Sequence, residues 1–476
     1  MDSLPPHLQA TRGAGSVAGT FFRNANAPRI NTDAQILATI QEIHPGVPVT
    51  IVPENNCNLK TYAETGLATV EALNKGAQTG GPHLYPEALK WTVFVPPSRR
   101  LDGGNGIVAE RALFETYQYK WKNMTFLVYL VDGRDGSEPY PNVRNQYILG
   151  DKAEVRTLVA TVGRHDSVLH GEIWVFNQGY WQKDANLYRS IMKSRWEDVI
   201  LDEAIKDDLK YTVTGFYDSR EQYKRLRVPW KRGIIFYGPP GNGKTITIKA
   251  TMHTLYERDP PVPTLYVKSL ASFSGPEYSI ETIFRKARQE APCYLVFEDL
   301  DSLVTDQVRS FFLNAIDGLS ENEGILMVGS TNHLERLDPG ISKRPSRFDR
   351  KYLFPDPDFD QRVKYCQYWQ NKLKDNKEIE FPDEICPAAA KITDGFSFAY
   401  IQEAFVSALM AIARQETTGK PADAGGESDL LARWEVLEIG EGSKKEKDLD
   451  DYILWRELKH QVELLRKEIS RDDTRQ

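Results

Sequence analysis

A chain of 476 residues is longer than one hydrophobic core usually organises, so two or three domains are expected. Hydrophobic residues at 41% and charged residues at 27% exclude fibrous and fully disordered classes. A formal net charge of -7, with Lys and Arg spread along the chain, argues against a dedicated nucleic-acid binder.

Cys57, Cys293, Cys366 and Cys386 lie far apart without paired metal spacing, and read as buried thiols of a reducing compartment. Residues 1–30 carry Arg12, Arg23 and Arg29 but no continuous apolar core, which disfavours a secretory signal. They are rich in Pro, Gly, Ala and Asn and are expected to be disordered. "DAQILATIQEI" and "YAETGLATVEALNKG" then show helical spacing. From 91 to 176 the runs "WTVFVP", "MTFLVYLV", "EVRTLVATVG" and "EIWVF" look like strands between Gly, Asp and Asn turns. "MTFLVYLV" is strand-length and far short of a membrane span. A mixed α/β, sheet-rich N-terminal domain over 31–190 follows. The chain is expected to be intracellular and soluble, in cytoplasm or nucleus ahead of the mitochondrial matrix.

Beyond 191 the short apolar runs "GIIFYG", "TLYVKS", "YLVFED" and "ILMVGS" alternate with helical stretches. That pattern predicts a parallel, helix-covered sheet over 191–355. Within it, "GPPGNGKT" (Gly238, Pro239, Pro240, Gly241, Asn242, Gly243, Lys244, Thr245) fits the phosphate-loop pattern between a strand and a helix opening at Ile246. The glycines let backbone N–H groups approach phosphates, the helix N-terminus adds partial positive charge, and Lys244 reaches the β- and γ-phosphates of ATP. Thr245 supplies a hydroxyl to Mg2+.

The strand "CYLVF" ends in Glu298-Asp299, with Asp301 two residues on. Many ATPases place Asp before Glu here; the order is reversed. Glu298 is expected to act through the magnesium shell and Asp299 to polarise the attacking water, unless Glu298 serves both metal and water. Asn332, just after "ILMVGST", is either a turn residue or an amide that orients that water. Arg344, Arg347 and Arg350 crowd one loop. They form either a surface salt-bridge cluster or forks for the γ-phosphate of a neighbouring subunit.

From 356 to 476 the chain reads as helices, with a polar loop at 416–448 and a closing helix whose Tyr452, Trp455, Leu458, Val462, Leu465 and Ile469 share a face.

The ordered set "GPPGNGKT", "EDLD", "STNHLERLDP" and "RPSRFDR" resembles the AAA clade of the AAA+ ATPases over about residues 191–415. "PWKRGIIFYGPPGNGKT" and the Glu-Asp order are most similar to the branch of the mitochondrial respiratory-chain-assembly (Bcs-type) chaperone. The resemblance implies a P-loop parallel-sheet AAA+ core with a small helical lid. It also implies a ring homo-hexamer that uses ATP and Mg2+ to remodel, unfold or translocate protein clients chosen by the N-terminal domain. In that pattern Asn332 matches sensor 1, Arg344 and Arg347 match the arginine fingers, and Asp198 and Ile200 match the adenine contacts. Phe273 is either a substrate-gripping pore residue or a core phenylalanine. In the lid, Phe398-Ala399-Tyr400 replaces the family's Gly-Ala-Asp, so altered lid contacts with adenine are expected. A scaffold with weak hydrolysis and a nucleic-acid-associated ATPase are the alternatives.

Overall fold

The computed structural model describes residues 31–73, 88–97, 105–132, 144–317, 322–344, 347–376, 378–418 and 448–473. The expectations for residues 1–30 and for most of the 416–448 loop lie outside these. The chain forms two compact units, Met1–Val168 and Leu169–Gln476.

In the first unit, β1 (Val49–Pro53), β2 (Thr69–Ala72), β3 (Leu89–Val95), β4 (Ile107–Trp121), β5 (Met124–Asp132) and β6 (Arg144–Leu149) build an antiparallel sheet. Its order is β1-β6-β5-β4-β2, with β3 paired to the free half of β4. Alternation along β5 divides its side chains between two cores. Phe126, Val128 and Leu130 pack with α2 (Leu59–Glu64) and α3 (Lys152–Ser167). Tyr129 and Val131 pack with Ile40 of α1 (Thr32–Ile43).

Two expectations are corrected here. "EVRTLVATVG" is helical: the Asp151 carboxylate caps the N–H groups of Ala153 and Glu154, and Val155, Leu158 and Val162 recur at helical spacing on the buried face. The valines suggested a strand, but periodicity and the cap outweigh β-propensity. "YAETGLATVEALNKG" breaks after Glu64, where Gly66 takes φ +82°, and returns as β2.

The second unit holds a seven-stranded sheet of order β13-β9-β12-β11-β10-β7-β8. Its strands are β7 (Ile173–Asn177), β8 (Tyr180–Asp184), β9 (Lys231–Tyr237), β10 (Thr264–Val267), β11 (Cys293–Phe297), β12 (Ile325–Thr331) and β13 (Arg350–Leu353). All pairings are parallel except that of edge strand β8 with β7. Residues 169–190, expected in the N-terminal domain, therefore belong to this unit. "EIWVF" is nearly all apolar because it lies inside a sheet covered on both faces.

Before β9 come α4 (Ala185–Ile191), α5 (Glu203–Asp218) and α6 (Arg220–Leu226); α7 (Lys244–Tyr256) and α8 (Pro276–Glu290) follow β9 and β10. Short α9 (Leu300–Leu303), α10 (Arg309–Asp317) and α11 (Pro339–Ser342) complete the layers. Ile234, Phe236, Val296 and Val328 pack to one face with α5 and α7. Ile235, Leu265, Leu295 and Met327 pack to the other with α8 and α10. The region expected to be the lid comprises α12 (Phe359–Leu373), α13 (Ile385–Ile392), α14 (Phe398–Thr418) and α15 (Ile453–Asp473). Trp455, Leu458 and Val462 of α15 pack on Trp369, Ile401 and Phe405. Helix α14 runs to Thr418, slightly past the expected start of the loop.

Candidate active site

Strand β9 delivers the chain to a loop in which Gly238, Gly241 and Gly243 take φ +139°, +79° and +92°. Glycine is required at Gly238 for a second reason: a Cβ there would stand 2.2 Å from the Phe354 carbonyl oxygen. Pro239 and Pro240 are exposed at the tip, and Thr245 is exposed in the first turn of α7, next to half-buried Ile246. Lys244 is buried, and its ammonium donates to the carbonyl oxygens of Gly238 (2.7 Å) and Pro239 (2.8 Å). Burial lowers its pKa, and the carboxylates of Asp299 and Asp301 oppose that shift. The ammonium thus sits in the curl of the loop, within electrostatic reach of Asp299 and Asp301 beyond the end of β11.

Asn242 joins the loop to the lid. Its amide nitrogen donates to Asp356 Oδ1 (2.8 Å) and its oxygen accepts from the Phe398 N–H (3.4 Å). The Ala399 N–H also donates to the Gly241 carbonyl (3.2 Å). Lid contact is therefore made by backbone at the start of α14, while the Phe398 ring packs edge-on against Tyr365.

The acids stand where β11 ends, beside the tips of β10 and β12. The hydroxyl of Tyr266 on β10 donates a short hydrogen bond to Glu298 Oε2. Burial, reinforced by the Glu298 charge, raises the Tyr266 pKa, so the phenol stays protonated as a donor. Glu298 Oε1 is buried without a hydrogen-bond partner. Asp299 is exposed and takes φ +50°, an uncommon conformation for a residue with a side chain. Its N–H donates to Ser330 Oγ (3.2 Å). Asp301 accepts from Thr331 Oγ1 (2.7 Å), which ties the end of β11 to the end of β12. Asn332 follows directly, half-buried at the end of β12. Tyr266, Ser330 and Thr331 were not singled out from sequence; the polar ends of "TLYVKS" and "ILMVGST" were their only signal.

The donor set fits a magnesium ion. A hydroxyl (Thr245) and an unsatisfied carboxylate oxygen (Glu298) are hard ligands, and such sites are completed by phosphate oxygens and water. Among the described residues no group of three or more His, Cys, Asp or Glu makes a self-sufficient cage.

The other candidates make contacts of their own. Asp198 closes its own turn by accepting from the Arg195 N–H (3.1 Å), and Ile200 is half-buried beyond it. That turn is fixed to α7 by Trp196 Nε1 donating to Thr254 Oγ1 (2.9 Å). Phe273 is fully exposed, which removes the core-phenylalanine alternative. Arg347 is buried and grips its own chain, with Nε and Nη2 donating to Asp317 Oδ2 at 2.9 and 2.7 Å. Arg344 contacts the same carboxylate at 3.2 Å but leaves its side chain 57% exposed. The three-arginine loop is thus divided: one member structural, one outward-facing, and Arg350 exposed at the start of β13.

A phosphate loop on β9, acids on β11 and hydroxyls on β12, all at the C-terminal ends of parallel strands, define a P-loop nucleotide-binding domain. Residues 234–356 match the family described as ATPase family associated with various cellular activities (AAA), so this segment is similar to AAA ATPase domains. No described helix is long and apolar enough to cross a membrane.

Proposed function

We propose that this chain is a magnesium-dependent ATPase of the Bcs-type branch that works as a homo-hexameric ring on protein clients. The observations that support it most are the buried Lys244 ammonium held in the curl of the loop, with Asp299 and Asp301 near enough to act on its charge, and the unpartnered Glu298 Oε1 at the end of β11. Backbone N–H groups of 241–245 and the Lys244 ammonium bind the phosphates of ATP, and α7 presents its positive end to them. Thr245 and Glu298 would hold a magnesium ion, which would supply neutralisation of the phosphate charge.

The reversed acids divide the labour. Glu298 is anchored by Tyr266 and suits a fixed metal-side role. Asp299, exposed and turned off the strand by its positive φ, polarises the attacking water, which Asn332 orients. Arg344, the outward member of its pair, reaches the γ-phosphate held by a neighbouring copy. Arg347 is a positioning residue that holds this loop against Asp317. Phe273, on the exposed turn before α8, grips the client, and the first unit selects it. Cytoplasm or nucleus is the proposed compartment.

Steady-state hydrolysis with magnesium titration tests the assignment. Asp299→Asn is expected to keep ATP binding and lose about 10²–10³-fold in turnover. Glu298→Gln is expected to raise the magnesium requirement. Normal turnover in Asp299→Asn would sink the division of roles, and a wild-type protein without ATPase activity in any assembly state would sink the function.

A further inference from the structure

On the other side of β9 from the phosphate loop, a groove of about 230 Å³ opens between α5, α6 and the first residues of β9 and β13. Its walls are Tyr211, Phe216, Tyr223, Leu226 and Val228, with Arg232 and Arg350 at one side. Tyr211 is 78% exposed and Leu226 65%, unusual for large apolar side chains placed next to each other in a concavity.

The rim is strongly positive. From Ser219 to Arg232 there are six cations and a single acid, Glu221. Two nearby acids are paired with cations, Asp349 with Arg232 and Asp218 with Arg258. Asp208 accepts from the Tyr352 hydroxyl, and Asp207 is exposed, so the cations at the rim outnumber the free acids without being wholly unopposed. Lys224, Arg225, Arg227 and Arg350 are exposed, so the groove joins an apolar floor to an edge with an excess of cations. Its complement is an acidic peptide carrying large apolar side chains.

The same chain contains one. Residues 427–441, "ESDLLARWEVLEIGE", carry five acids against one arginine, together with Leu430, Leu431, Trp434 and Leu437. This stretch lies in the 29 residues between the described ends of α14 and the turn before α15. At roughly 3.4 Å per residue, Trp434 can stand about 50 Å from either end. A compact unit of about 300 residues is itself on the order of 50 Å across, so the groove is within reach.

We propose that residues 427–441 dock in this groove of their own chain, Trp434 or a neighbouring leucine entering between Tyr211 and Leu226 and the acids facing Arg225, Arg227 and Arg350. The lid insertion is thereby tied to the base of β9, the strand that leads into the phosphate loop. A single-stranded nucleic acid would also favour cations and tyrosines, but the aliphatic floor of Leu226 and Val228 favours peptide.

The test uses the full chain with p-benzoylphenylalanine in place of Trp434. Irradiation is expected to give intramolecular cross-links to peptides spanning 211–219 or 226–232. Arg225→Glu with Arg350→Glu should lower the yield about five-fold, since each exposed charge pair contributes modestly. Adding Glu435→Arg with Glu438→Arg should restore it. Leu226→Asp should abolish it while thermal unfolding confirms that the fold persists. Cross-links confined to other surfaces, or a yield indifferent to the charge reversals, would overturn the proposal. So would cross-links found only between isotopically light and heavy copies, or protection of the groove by an oligothymidylate and not by the segment.

Discussion

The Gln146 amide in the first unit's sheet and Glu298 Oε1 in the second's are buried polar groups treated in opposite ways, although the first sheet also keeps one buried hydroxyl, Tyr119 Oη on β4, without a partner. In the antiparallel sheet of the first unit, Gln146 is buried on β6, and both ends of its amide are engaged. Nε2 donates to the Cys57 carbonyl (2.6 Å), and Oε1 accepts from the Leu59 N–H and the Tyr117 hydroxyl at 3.4 Å each. Beside it Glu115 pairs with Lys60, whose ammonium also lies 5.4 Å from the centre of the Tyr117 ring. In the parallel sheet the polar groups gather at strand ends and are incompletely engaged: Lys244 rests on backbone carbonyls, and Glu298 Oε1 has no partner. The first arrangement holds an architecture together. The second keeps binding capacity for something else, because an unsatisfied buried oxygen is costly unless a ligand or ion meets it.

The largest effect that sharpens this contrast belongs to Lys244. Lys244→Ala is expected to abolish measurable ATP binding, a loss of at least about 10²-fold in affinity, with little change in thermal stability. Titration calorimetry together with thermal unfolding checks both halves; normal affinity would remove the phosphate-loop assignment.

Gln146→Leu should do the reverse. Left without its amide, the Cys57 carbonyl and Tyr117 hydroxyl are buried unpaired, and stability of the first unit should fall by about 2–3 kcal/mol. ATP affinity should be unaltered. Denaturant unfolding and calorimetry on one preparation separate the outcomes, and a loss of affinity equal to that of Lys244→Ala would erase the distinction between the sheets. Tyr266→Phe should fall between these extremes. It removes one donor from Glu298 and leaves the ring in place, and a drop in turnover of about ten-fold with a raised magnesium requirement is expected. Unchanged magnesium dependence would show that Tyr266 only fills space.

What could be read beforehand divides along the same line. The phosphate loop was legible because its constraints are local: three glycines in left-handed φ, then lysine at a helix start. The acids were legible as the end of an apolar strand. Their inequality was not, since it comes from Tyr266 on β10 and Ser330 on β12, which sequence separates and the parallel register brings together. Arg344 and Arg347 looked equivalent because nothing local marks Asp317, thirty positions before Arg347, as the group that buries one and leaves the other outside. The α3 helix was misread because valine counts outweighed a three-and-four spacing that the Asp151 cap makes decisive. The edge hairpin β7–β8 was assigned to the wrong unit because an apolar strand says nothing about which sheet it joins.

The smallest expected effect concerns that arginine loop. Burial tends to raise the Asp317 pKa, but hydrogen bonds from Arg347, with the charges of Arg347, Arg344 and Lys231, outweigh it and hold the carboxyl below its ordinary value of 3.8. A carboxyl depressed in the folded state contributes stability above its unfolded pKa and loses it as pH falls through the lower folded value. The contribution is therefore complete at neutral pH and disappears only in strong acid. Asp317 is partly exposed, so solvent screening keeps it small. Asp317→Asn should flatten the acid limb of the stability curve without moving the neutral plateau by more than about 1 kcal/mol. It should lower turnover more than stability, because Arg344 loses the anchor that fixes its loop. An acid limb identical to that of the wild type would show that the pair with Arg347 is geometric only, and that Arg347 is held by its 340-region carbonyl contact instead.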